Sequence, residues 1–264
     1  MRRALFLQLL ALAAGVGQAL AQGPVPGRNT LVLRGQPQEI YYYPGSGDPA
    51  ASRGKVLYLP GDIGMFGLGA TIAKTIATWG YDVYGLDTRS YLASFSGKSP
   101  LKEAEVMADF VRIADWMGAG KEEKIALVGW SEGAGLCLLA AAPEENKKRF
   151  PGLITFGLTE FPTLSWHWSD LLATMTSRIA KEPNFSSADY VSKVSPARFL
   201  MIQSSGDQYI PVATAERLFS LAQQPKRYRL IQARDHRFEG NQPQLYQSIR
   251  EGLEWILESR ESPL

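Results

Sequence analysis

Lys124-Ile125-Ala126-Leu127-Val128-Gly129-Trp130-Ser131-Glu132-Gly133-Ala134-Gly135-Leu136-Cys137-Leu138-Leu139 is the stretch that decides the fold. It runs from an apolar strand, through a glycine-framed turn, into an apolar helix. The pattern Gly129-x-Ser131-x-Gly133 alone arises by chance in roughly one chain in ten of this length, so its context carries the weight. A strand that turns at once into a helix forces the serine between them into a strained backbone. A β-carbon on either flanking residue would crowd that turn. The outcome is a serine hydroxyl lifted above a sheet, at a helix N-terminus whose N–H groups favour negative charge.

Outward from this stretch the chain alternates. Residues 31–34 and 39–43 read as an opening pair of strands, split by Gly35-Gln36-Pro37. Residues 55–59, 81–86, 124–128, 153–157, 198–203 and 227–232 read as six further strands. Between them, helical spacing predicts helices over 70–78, 101–117, 132–142, 213–222 and 243–258. The strands are continuous apolar runs, as strands covered on both faces should be. The fold class is therefore α/β, a mainly parallel sheet with helices on both faces. Between residues 160 and 196 the rhythm breaks. This Trp-, Ser- and Asp-rich insertion falls at the carboxyl ends of the strands, where ligands bind, and reads as a small cap.

An unactivated serine is a poor nucleophile and needs an oriented base. Beyond the leader the chain has two histidines, His167 and His236. His236 follows the last strand, at the correct edge of the sheet, and is the expected base. Asp207, in Ser204-Ser205-Gly206-Asp207, follows the fifth parallel strand and is the expected orienting acid. Glu160 and Asp235 compete for that role, but Asp235 is adjacent to the histidine and points away from it. The order Ser131, Asp207, His236 is that of an α/β-hydrolase triad. The oxyanion donors are expected from the backbone N–H groups of Glu132 and of Asp62, in Pro60-Gly61-Asp62-Ile63-Gly64. Trp130 and, in the cap, Trp166, His167 and Trp168 are expected to meet substrate. With Phe185 and Tyr190, the cap aromatics read equally as the cap's own core. Cys137, alone in the chain, reads as a small buried hydrophobe.

The sequence supplies no metal cluster, phosphate loop or dinucleotide fingerprint, so no metal or cofactor is expected. The chain has 264 residues, 28 basic and 26 acidic. Residues 1–21 have a basic start at Arg2-Arg3, a short apolar run and the small-x-small site Ala19-Leu20-Ala21, the layout of a signal peptide. Without Arg2 and Arg3 the balance is 26 to 26, and no basic stripe points to nucleic acid. The expectation is a periplasmic or secreted protein cleaved near Ala21, with residues 22–30 as a Pro/Gly-rich tether and 22–264 as one domain.

At these motifs the chain resembles the α/β-hydrolase superfamily over nearly its whole mature length. Its N-terminal half is similar to the VirJ/AcvB-type bacterial proteins. The resemblance rests on Gly61-Asp62-Ile63-Gly64, on Gly85-Leu86-Asp87-Thr88-Arg89-Ser90-Tyr91, and on Gly129 to Ala134. It departs at Ile63 and Met65, which replace a glycine and an aromatic, and at Glu132, where an aromatic is expected. The resemblance implies export, association with type IV secretion or a membrane surface, and hydrolysis of aminoacylated phosphatidylglycerol. The expected function is a serine hydrolase acting on a small-molecule or lipid ester. The alternatives are a peptidase, or a non-catalytic, secretion-associated binding protein on the same fold.

Overall fold

The computed structural model describes residues 23–45, 52–96, 100–118, 123–167 and 183–258. The proposed leader, residues 1–21, and Trp168 lie outside the described residues. The strands are β1 (Gly27–Leu33), β2 (Gln36–Tyr43), β3 (Lys55–Leu59), β4 (Asp82–Leu86), β5 (Ile125–Trp130), β6 (Gly152–Phe156), β7 (Arg198–Ser204) and β8 (Lys226–Ile231). They form one eight-stranded sheet in the order β1-β2-β4-β3-β5-β6-β7-β8. β1 and β2 join antiparallel, as do β2 and β4; every later pairing is parallel. The tether expected over 22–30 is corrected at its end. Arg28, Asn29 and Thr30 already pair with Tyr41, Ile40 and Glu39 as part of β1.

Alternation within the parallel strands explains the two-sided core. In β3, Leu57 and Leu59 face one core cluster and Val56 and Tyr58 face the other. β5 does the same, with Ile125 and Leu127 on one side and Ala126, Val128 and Trp130 on the other. Helix α1 (Leu68–Thr78) covers the second face with Ile72 and Ile76. Helix α3 (Glu103–Trp116) covers the first with Val106, Phe110 and Ile113. Between these two helices lies a short α2 (Thr88–Ser94), a helix absent from the sequence-based expectation. Helix α4 (Glu132–Ala141) is buried on every residue from Gly133 to Ala141, so it is apolar all round rather than amphipathic. Cys137 is among these, and burial pushes its thiol well up from its ordinary value.

The chain leaves β3 toward β4 on one side and returns to β5 on the other. This reversal of strand order creates a crevice at the carboxyl ends of β3 and β5. After β6 the described part of the predicted cap forms a narrow base. Thr163 bridges Asn184, Leu164 N–H donates to Pro183 O at 2.7 Å, and Phe185 N–H donates to Pro162 O at 3.2 Å. A one-turn α5 (Ala188–Val191) follows, and β7 leads to α6 (Val212–Leu221). After β8, α7 (Gln242–Leu253) packs Leu245, Ile249 and Leu253 on the second face and continues into a π-helical turn, Glu254–Glu258. No described helix is long and apolar enough to cross a membrane.

Candidate active site

Ser131 sits between β5 and α4 with φ 54° and ψ −120°. For a residue with a β-carbon, a sparsely populated conformation of this kind costs roughly 1–3 kcal/mol. Its N–H donates to Phe156 O at the end of β6, at 3.0 Å. A β-carbon at Gly129 would lie 2.6 Å from Ala134 Cα and Gly133 O. One at Gly133 would lie 2.3 Å from Leu59 O and 2.4 Å from Pro60 O. The two glycines are thus required by contact, one within the elbow and one between α4 and β3.

Asp207 ends the turn after β7, and His236 lies in the loop after β8. His236 Nδ1 and Asp207 Oδ2 are 2.7 Å apart. Oδ2 also accepts from Gln203 Nε2 at 3.2 Å, while Oδ1 accepts from the N–H groups of Tyr209 at 2.9 Å and Ile210 at 3.0 Å. Burial pushes the Asp207 carboxyl up, but the hydrogen bond and charge of His236 and the two backbone N–H groups outweigh it. They hold the group below its usual value. An ionised carboxylate only accepts, so Nδ1 carries the proton and Nε2 is left free to act as a base. The competing acids are engaged elsewhere. Asp235 accepts from Arg237 and Glu239 N–H, and Glu160 pairs with Arg217.

Ser131 and His236 approach one another through shared neighbours. The imidazole stacks on the Trp130 ring, the residue before Ser131, at 5.8 Å between centroids. It also rests on Gly157, directly after the Phe156 carbonyl that holds Ser131 N–H. Among the described residues no hydrogen bond joins the serine hydroxyl to the ring. Gly157 was not singled out from the sequence. It has φ 58°, and a β-carbon there would lie 2.5 Å from His236 Cε1 and 3.0 Å from Nδ1. Its signal is a glycine at the carboxyl end of a core strand. Gly157→Ala is therefore expected to displace the ring and lower kcat about 100-fold. The left-handed backbone costs only about 1–2 kcal/mol, so steady-state kinetics read beside thermal unfolding will show a kinetic loss out of proportion to the stability loss.

The loop after β3 brings Gly61 against the nucleophile, where a β-carbon would lie 3.3 Å from Ser131 Cβ. Among the described residues, the N–H groups of Asp62 and Glu132 donate to no other group, which suits an oxyanion pair. The loop is pinned by Asp87, whose contact with it no local sequence pattern announces. Its Oδ2 accepts from Met65 N–H at 2.9 Å, and its Oδ1 caps α2 through Ser90 N–H at 2.8 Å. Gly64 is required there, because a β-carbon would lie 2.6 Å from Asp87 Oδ1. Thr88 Oγ1 adds a bond to Pro60 O at 2.7 Å.

The aromatic residues divide. Trp130, expected to meet substrate, is instead buried between Phe156 and His236, on the core face it shares with Ala126 and Val128. It backs the imidazole. Trp166 and His167 are half-buried in the cap base. Trp166 N–H donates to Ser96 Oγ at 2.8 Å, and Arg89 lies over its ring. Phe185 is buried against Tyr190 as core of the base. Tyr209, unremarked in the sequence, stands edge-on to His236 with its ring exposed.

The eight-stranded, mainly parallel sheet and its helices match one architecture among solved structures. The chain has the α/β-hydrolase fold. The alpha/beta hydrolase GrgF from Penicillium sp. sh18 superposes with a TM-score of 0.68 at 15% identity, over 89% of this chain and 100% of that one. Est1E from Butyrivibrio proteoclasticus gives 0.66 at 11% identity, over 88% and 100%. A soluble variant of the monoglyceride lipase from Saccharomyces cerevisiae, in complex with a substrate analogue, gives 0.66 at 15% identity, over 90% and 98%. No protein-family profile matches the chain, and no curated protein matches it in sequence.

Proposed function

We propose that this chain is an exported serine hydrolase that cleaves an ester or related acyl bond. The observation that carries the reading is a serine with φ 54° at a strand–helix elbow, next in sequence to Trp130, on whose ring stacks an imidazole with its Nδ1 hydrogen-bonded to a buried carboxylate. Ser131 Oγ attacks the carbonyl carbon while His236 Nε2 takes its proton. The N–H groups of Glu132 and Asp62 hold the oxyanion. His236 then gives the proton to the leaving alcohol, and water, activated by the same nitrogen, releases the acid.

Apolar side chains supported on the same rim favour an apolar or lipid ester. Ile63 and Phe66 follow β3, Phe161 follows β6 and Tyr209 follows β7, and all four are exposed. The monoglyceride lipase among the structural neighbours is consistent with that substrate class. The likeness of the N-terminal half to VirJ/AcvB-type proteins narrows the reading to aminoacylated lipid, and the leader-like residues 1–21 support export. The test is a fluorophosphonate probe, which bonds covalently to an activated serine. Wild-type protein is expected to be labelled at Ser131, and Ser131→Ala is expected to take no label while keeping its fold. Unlabelled, folded wild type overturns the proposal.

A further inference from the structure

Glu132 contributes a backbone N–H to the proposed oxyanion site, and nothing in that role requires its side chain to be acidic. Yet Glu132 as a residue is half-buried and its carboxyl is buried, where burial costs free energy unless a partner is gained. Its partner is the cap base. Oε2 accepts from Thr163 N–H at 2.8 Å. Thr163 is the residue that bridges Asn184, and its neighbours Pro162 and Leu164 carry the two hydrogen bonds to Phe185 and Pro183. One carboxyl oxygen thus holds the point where residues 162–164 meet residues 183–185.

A second contact lies one turn along α4. Pro162 seats on Gly135, where a β-carbon would lie 2.4 Å from Pro162 Cβ and Cγ. Residues three apart on a helix share a face, so the polar and apolar fastenings act side by side. Through this base Phe161 is presented at the rim and Trp166 is held at Ser96. We infer that Glu132 is a positioning residue whose side chain locks the cap base onto the nucleophile elbow, and so determines how the site holds the acyl part of its substrate. The inference rests on Ser131 being the nucleophile.

The charge state of this lock matters. Burial pushes the Glu132 carboxyl up to about 7; the Thr163 N–H opposes the shift, and the Asp62 carboxylate, across from it, adds to it. His236, from the loop after β8, is the other titratable group carried at the elbow, stacked on the Trp130 ring, while Glu160 is paired away with Arg217. Below about pH 7 the group is protonated and neutral. Above it, a carboxylate stands beside the oxyanion that its own N–H must stabilise, and acyl transfer declines.

The experiment compares full-length wild type, Glu132→Gln and Glu132→Ala on nitrophenyl acetate and nitrophenyl octanoate, between about pH 6 and 9. Fluorophosphonate labelling rates are read in parallel. Loss of one hydrogen bond to a partner predicts a KM for the octanoate raised about tenfold in Glu132→Ala, with recovery in Glu132→Gln, which keeps the acceptor. Glu132→Gln is also expected to lose the alkaline decline in labelling rate. Variants matching wild type in both KM and pH profile overturn the inference while leaving the serine reading standing. A wild type that takes no label removes the serine reading first.

Discussion

Asp207→Asn is expected to lower kcat for ester hydrolysis by about 10⁴-fold with the fold retained. The reason is the number of donors that converge on this side chain. The carboxylate accepts from Tyr209 and Ile210 N–H on Oδ1, and from His236 Nδ1 and Gln203 Nε2 on Oδ2. An asparagine has one oxygen. If that oxygen serves the two backbone donors, its NH₂ faces the imidazole and makes Nδ1 an acceptor. The ring proton then moves to Nε2, which meets Ser131 as a donor and cannot take its proton. The pH dependence has a definite sign. The Asp207 carboxyl is held below its ordinary value, so its ionised form stabilises the native state above the unfolded pKa of about 3.9. That stabilisation is lost as pH falls through the lower, native value. Wild type should therefore melt above Asp207→Asn near neutrality, with the gap closing below about pH 4. A variant retaining more than a tenth of wild-type kcat contradicts the assignment of Asp207 as the orienting acid.

What could be read in advance follows from what each signal depends on. β3 and β5 announce themselves because both faces are buried, so apart from Lys55 at the start of β3 neither strand carries a charged residue. Asp207 and His236 were legible because each lies just past the carboxyl end of a strand, and the topology brings those ends together. β1 was placed four residues late because it is an edge strand. Arg28, Asn29 and Thr30 are set by pairing to the β2 backbone, which composition does not record. Helix α2 has seven residues, too few for a periodic stripe; its one advance sign was the capping Asp87. Trp130 is expected from the sequence to meet substrate. Strand alternation argues otherwise, since it lies two residues from Val128 and so on the same core face. Gly157 and Asp87 act on groups 79 and 22 residues away, on His236 and on Met65, and no local pattern encodes such contacts.

Gly133→Ala is expected to be the most destructive single-methyl change among the described glycines. The added carbon would lie 2.3 Å from Leu59 O, 2.4 Å from Pro60 O and 2.7 Å from Leu59 C. All three are backbone atoms at the end of β3, fixed by the pairing of β3 with β4 and β5. Gly85 offers a contrast. A β-carbon there would meet the Met65 thioether at 2.5 Å, the end of a flexible side chain that can turn aside. Relief at Gly133 requires α4 to move off the sheet, and α4 is enclosed on all sides. The cost is expected at about 3–5 kcal/mol, set against a total stability of roughly 5–15 kcal/mol. For a domain of this size that lowers Tm by about 10 °C or more, measurable by circular dichroism, with Gly85→Ala losing less than half as much. A Gly133→Ala protein that melts with wild type would show that α4 can shift freely. The same contact holds the first turn of α4 against the loop carrying Asp62. The pressure that excludes a methyl group at Gly133 therefore also sets the spacing of the Glu132 and Asp62 N–H groups, and the chemistry inherits its geometry from the packing.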